Sequence, residues 1–162
     1  LATILQNKRT IQVYWVHSIW MFILGLCFIQ HWYVLHSWRD FGTNIVSYIF
    51  FLIFPISLFI ASALLVPTIA KGEQIDLQTH YYFNHRLFFG MLAVALVEAI
   101  ARTIFFGRSS LLGIDTGLRL LGLSVVVGLI VSSNKRFHSI SAIACMVLLF
   151  GFILKFSSQF AQ

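Results

Sequence analysis

Acidic residues are scarce in this chain, with five Asp and Glu among 162 residues, and charged side chains of both signs make up only 10%. A water-exposed domain carries charge on about a quarter of its residues, so the composition argues against water as the main solvent. Cysteine is nearly absent too. Cys27 and Cys145 stand alone within apolar stretches, which excludes a C-x-x-C redox pair and a cysteine-rich zinc site, and a buried lone thiol is normally inert. The templates of common enzymes are also missing: there is no G-x-S-x-G elbow, phosphate-binding glycine loop, dinucleotide fingerprint or H-E-x-x-H helix. Internal repeats and low-complexity segments are absent as well.

What is there is apolar sequence. Hydrophobic residues make up 59% of the chain, in recurring runs of about 20, the length that crosses a hydrocarbon core of about 30 Å at about 1.5 Å per residue. The expected fold is therefore all-α, a polytopic integral membrane bundle. One domain covers 1–162, with about five transmembrane helices at 12–36, 43–67, 84–106, 113–132 and 138–157. The breaks "HSWRDFGTN", "PTIAKGEQIDLQTH", "GRSSLLG" and "SSNKRFHS" hold the polar and turn-forming residues. The first run exceeds a typical signal core and offers no small-residue cleavage site, so a retained span is expected. Pro55 removes a backbone donor within the second run and predicts a kink. The seventeen Phe are read as lipid-facing and packing residues.

The net charge of +6 comes from dispersed Lys and Arg. No basic patch or nucleic-acid motif accompanies it, and attraction to anionic lipid headgroups accounts for it. With the N-terminus cytoplasmic, Lys8, Arg9, Lys71, Arg86, Lys135 and Arg136 fall inside and Arg39, Arg108 and Lys155 outside, the order favoured by the positive-inside rule. The chain has the look of a bacterial inner-membrane protein with the lipid bilayer as its first partner.

"YYFNHRLFF", residues 81 to 89, sits where the longest polar stretch re-enters apolar sequence. Tyr81, Tyr82 and Arg86 read as an interfacial belt, because amphipathic rings and snorkelling arginines prefer that depth. His17, His85 and His138 are expected at the same membrane face, with His80 in the adjoining loop. Histidines that converge can ligate a haem or titrate near neutral pH. His17 and His31, fourteen apart, share a helix face, as two axial histidines serving two stacked haems would, with His85 near the level of His17 as a partner from another span, so a haem-b redox protein using His17, His31 and His85 is one alternative. Interfacial or hydrogen-bonded histidines are the plainer reading.

Ionisable residues inside the spans are more telling, since charge there is costly and is paired or functional. Glu98 with Arg102, and Asp115 with Arg119, are acid and base at i and i+4, a same-face order. One network joining the third and fourth helices is expected, as a structural pin or as the wall of a hydrophilic pathway. The fourth helix also carries Gly113, Gly117, Ser124 and Gly128 in a narrow stripe, the small-residue pattern that lets another helix approach closely, in this chain or in a second copy. Two function classes follow. The first is a protein that works by assembly, as a homo-oligomeric channel or transporter or as an accessory subunit of a larger membrane complex. The second is a redox protein that uses the histidines.

Overall fold

A computed structural model describes residues 11–37, 45–67, 75–106 and 114–159. The fold is all-α, with helices α1 (Trp15–Ser37), α2 (Ile45–Leu65), α3 (Leu77–Phe106), α4 (Ile114–Val131) and α5 (Lys135–Gln159). Apart from the helices, a two-residue strand β1 (Ile11–Gln12) ahead of α1 pairs in parallel with β2 (Ile75–Asp76) ahead of α3. Gly113 and the segments carrying Lys8, Arg9, Arg39, Lys71 and Arg108 lie outside the described residues, and with them most of the charge pattern used to orient the chain.

Two helices start earlier than the apolar pattern implies, and each start has a cap. α3 begins at Leu77 rather than near 84. The Asp76 carboxylate accepts the Gln78 backbone N–H at 2.9 Å and the Thr79 hydroxyl at 2.7 Å, which satisfies donors that a first helical turn otherwise leaves open. These two hydrogen bonds, the Thr79 one first, hold the exposed Asp76 carboxyl below the usual carboxylate range. α5 begins at Lys135 rather than 138 because the Asn134 side-chain oxygen accepts the Arg136 N–H at 3.0 Å. α2 runs through Pro55 without interruption. Ser57 and Ser62 in α2 donate to the carbonyls of Ile53 and Phe59 at 2.7 and 2.8 Å, so their hydroxyls need no partner from another helix.

Each helix packs against the next in sequence, and α1 also packs on α5, so the five close into a ring. α3 has the broadest interfaces, with α2 on one side and α4 on the other. Hydrogen bonds fix the directions. His17 reaches the Leu65 carbonyl at 2.8 Å, and the Tyr81 hydroxyl lies 2.9 Å from His138. His138 reaches the Ser132 carbonyl at 2.7 Å. The starts of α1, α3 and α5 and the ends of α2 and α4 therefore share one end, and sequential neighbours are antiparallel. Trp20 is the centre of the packing, edge-on to Phe88 and Phe89 with centroids 5.8 and 5.0 Å away. Leu24, Leu58, Ala61, Leu92, Val126 and Ala142 bury their side chains around it.

The outside of the ring is apolar. Trp32, Phe59, Phe83, Phe105 and Val131 are among many large hydrophobic side chains that project outward, Phe83 with 85% of its surface exposed. Among the described residues, two helices are long and apolar enough to cross a membrane, Ile45–Leu65 and Leu77–Phe105, and Thr116–Val131 is a shorter apolar helix. Five such helices were expected from the sequence. α1, α4 and α5 are 23, 18 and 25 residues long, and the polar His17, Gln30 and His31 dilute the apolar character of α1.

Candidate functional site

Two groups of polar side chains lie inside this ring, one around the α3 charges and one at the end where α1, α3 and α5 begin. Glu98 and Arg102 are one turn apart on α3, with 3% and 6% of their surfaces exposed, and Arg102 Nη2 stands 3.5 Å from Glu98 Oε2. This is an ion pair without a close hydrogen bond. Among the described residues, neither Glu98 oxygen has a donor and Arg102 Nη1 has no acceptor. The guanidinium lies over two rings of α2, 5.5 Å from the Phe51 centroid and 5.9 Å from that of Phe54, a cation–π contact in the range of about 0.5 to 2 kcal/mol. The other face of this arrangement is His31 of α1, stacked on Phe54 at 4.7 Å and 12°. Both its ring nitrogens are buried without a partner.

Arg119 crosses from α4 to α3, where its Nη1 donates to the Ala99 carbonyl at 2.9 Å and to the Thr103 hydroxyl. Thr103 in turn donates to the Ala99 carbonyl at 3.2 Å. The described part of the expected four-charge network is thus an ion pair on α3 beside a clamp from α4 to the α3 backbone. The Asp115 side chain lies outside the described residues. Arg102, Arg119 and His31 line a cavity of about 230 Å³ to which all five helices contribute, and most of its wall is aliphatic. The half-buried free thiols of Cys27 and Cys145 line the same space.

The second group is the "YYFNHRLFF" turn. Phe83, Arg86 and Leu87 face outward, but Tyr81 is fully buried. An interfacial role for Tyr81 is therefore corrected: one position in a helical turn separates an outward ring from an inward one, and Tyr81 falls on the core side with Phe88 and Phe89. A carbonyl only accepts, so His138 must carry its proton on Nε2 to bond Ser132, which leaves Nδ1 to accept from the Tyr81 hydroxyl. This chain ties α3, the end of α4 and α5. His85 stands beside His138 with centroids 5.6 Å apart and donates Nδ1–H to the Tyr82 carbonyl at 2.6 Å, so its buried Nε2 is an unpartnered lone pair. His17 donates Nε2–H to Leu65, and its buried Nδ1 is likewise unpartnered. His80 donates to the Leu64 carbonyl at 3.1 Å. Among the described residues, no three His, Cys, Asp or Glu side chains are grouped to hold a metal ion.

The small-residue stripe of α4 faces mostly outward. A Cβ on Gly117 would meet nothing within 4 Å, while one on Gly128 would meet the Phe137 ring at 3.1 and 3.4 Å. Ser124 is exposed and donates to its own Leu120 carbonyl at 2.9 Å. Among the described residues, Gly128 is close to a side chain of another element, Phe137 of α5, and Gly117 is not.

Sequence reasoning found Glu98, Arg102 and Arg119 because charge stands out in apolar sequence. It missed Tyr81 as the partner of His138, Thr103 beneath Arg119, and Phe54 as the ring shared by His31 and Arg102. No local signal marks a pairing between distant helices. The chain matches no protein-family model, no curated protein and no solved structure.

Proposed function

We propose that the chain is a polytopic inner-membrane protein that works by assembly rather than by covalent chemistry. It would act as a homo-oligomeric channel or transporter, or as an accessory subunit of a larger membrane complex, with its N-terminus in the cytoplasm. The observation that carries this reading is an inversion of polarity: His17, His31, His85, Glu98, Arg102 and His138 are buried while Phe59, Phe83, Phe105 and Val131 face out. In water such an outer surface would aggregate; in lipid it needs no cover, and the polar groups belong inside. Two helices meet the length and apolarity of a span by themselves. The more polar α1 fits because its His17 and His31 are buried within the ring, as is Thr116 of α4.

A site of interaction with a second copy or a partner is supported by the exposed Gly117 and Ser124, where a neighbouring backbone can come close. Transport, rather than a purely structural role, is supported by the cavity that reaches all five helices beside Arg102 and His31. Size-exclusion chromatography with light scattering in a mild detergent tests the assembly. A defined oligomer or a stoichiometric copurifying membrane protein is expected, and a monodisperse monomer with no partner removes this reading.

The alternative, a haem protein using His17, His31 and His85, fits the residues poorly. The His17 ring is bonded to the Leu65 carbonyl and the His31 ring is stacked on Phe54, so neither is turned toward a shared ligand with a histidine of another helix. The cavity beside His31, about 230 Å³, is below the range of about 300 to 1,000 Å³ that drug-sized ligands occupy. A Soret band in the absorption spectrum of the purified protein would reinstate it.

A further inference from the structure

We propose that the cavity beside Arg102 and His31 binds a small amphipathic anion, a carboxylate headgroup carried on an unbranched apolar chain. Arg102 is buried to 6% exposure and its Nη1 has no acceptor, although Glu98 stands near its Nη2. A buried guanidinium nitrogen without an acceptor is a costly omission, and an ionised oxygen is its strongest partner. His31 shares Phe54 with Arg102, and neither of its ring nitrogens has a partner, so its N–H can donate to a second oxygen of the same headgroup. Arg119 places another positive charge on the same wall while held to α3 by Ala99 and Thr103.

The remainder of the cavity selects the rest of the ligand. Ile23, Leu58, Leu96, Val126 and Leu149 offer only apolar surface, while the Gln30 amide lies on the wall with His31 at the polar end. A hydrated inorganic anion would lose its water against them, and a neutral hydrocarbon would leave Arg102 as it stands. A volume of about 230 Å³ admits a small headgroup with part of a chain and no nucleotide-sized group. A single oxyanion on an acyl chain meets all three conditions. The bilayer supplies two sources of that chemistry, free fatty acid and acidic phospholipid. The inference rests on the membrane reading above for that supply.

The test is equilibrium binding of radiolabelled oleate to the full chain in dodecyl maltoside, with labelled oleyl alcohol as the uncharged control. Saturable binding of oleate is expected, with the alcohol weaker by at least about tenfold, the factor that 1.4 kcal/mol represents. Three variants probe the site. Glu98→Gln with Arg102→Gln keeps the charge balance and removes the anchor. His31→Phe keeps the stack on Phe54 and removes the donor. Gly122→Leu fills the space: a Cβ there meets only Leu96 Cδ1 at 3.9 Å, so the added side chain enters the cavity. Each is expected to weaken oleate binding at least about tenfold on that scale, with native-like elution for all three and a melting point for the anchor variant above that of Glu98→Gln alone.

Equal affinity for oleate and the alcohol, or undiminished oleate binding by a folded anchor variant, would overturn the site. Displacement of oleate by dioleoyl phosphatidic acid at lower concentration than by oleate itself would assign the site to a phospholipid, and the reverse order to free fatty acid; both keep the oxyanion and chain. Absence of saturable oleate binding by the native chain together with intact membrane topology would count against the cavity alone, whereas a wrong topology would count against the membrane reading.

Discussion

Glu98→Gln is the substitution with the largest expected effect. Glu98 and Arg102 are 3% and 6% exposed, with 3.5 Å between the charged atoms. At an effective dielectric of about 20 that separation corresponds to about 5 kcal/mol of attraction. Glutamine at 98 removes this attraction and leaves the arginine buried, and breaking a buried pair from one side typically costs about 3 to 5 kcal/mol. Glu98→Gln with Arg102→Gln removes both charges at once and should cost distinctly less, because no uncompensated ion remains. The assay is thermal loss of the monodisperse peak in detergent for the native protein, the single variant and the double variant. For a chain of this size the single variant should melt lower by on the order of 10 °C, and the double variant should recover at least half of that. A single variant that melts with the native protein, or a double variant that melts lower than the single, would show that the pair is not held in a low-dielectric interior.

Tyr81→Phe removes the donor to His138 Nδ1 and leaves a buried ring nitrogen unpartnered, a loss of about 1 to 3 kcal/mol that the same melting assay reads. Gly128→Leu should destabilise the chain by about 1 to 3 kcal/mol through overpacking against Phe137; Gly117→Leu should leave the monomer's stability unchanged and shrink the oligomer, and the reverse pattern would place the partner at the wrong end of the stripe. Asp76→Ala should cost about 0.5 to 2 kcal/mol by removing the α3 cap. Because folding depresses the Asp76 pKa, the native cap contributes fully above the unfolded carboxylate value of about 3.9 and is lost as pH falls through the lower folded value. The variant's deficit should therefore close in acid, and a deficit unchanged at low pH would deny the carboxylate that role.

The apolar runs made all five helices legible, and the antiparallel order of neighbours follows from the short connections between them. The early starts of α3 and α5 were legible in principle, since Asp76 and Asn134 are strong N-cap types; hydropathy alone hides them because Leu77 to Asn84 and Lys135 to Phe137 carry polar residues inside real helical turns. The charges inside the ring announced themselves by their rarity in such an apolar composition. Their environment did not. That Arg102 meets Phe51 and Phe54 of α2, or that Arg119 reaches the α3 backbone, depends on the rotation of each helix in the ring. Helices that are apolar nearly all round leave that rotation weakly encoded. The same reason explains Tyr81 and Tyr82: adjacent aromatics look equivalent in sequence, both rings lie against His138, and only packing gives the Tyr81 hydroxyl His138 as its partner and the Tyr82 hydroxyl Tyr14. The α4 stripe was visible as spacing, while the open space beside Gly117 among the described residues required coordinates.

Cysteine accessibility tests most directly the claim that the ring lies in a membrane with its N-terminus inside. With Cys27 and Cys145 replaced by Ala, single cysteines at Ser133, in the exposed turn between α4 and α5, and at Ser109, between α3 and α4, are challenged in intact cells with a thiol reagent that does not cross the inner membrane. With the N-terminus inside, Ser109→Cys is labelled from outside and Ser133→Cys is labelled only after the membrane is opened. Labelling of Ser133→Cys in intact cells, protection of Ser109→Cys, or recovery of the chain in the soluble fraction would contradict it.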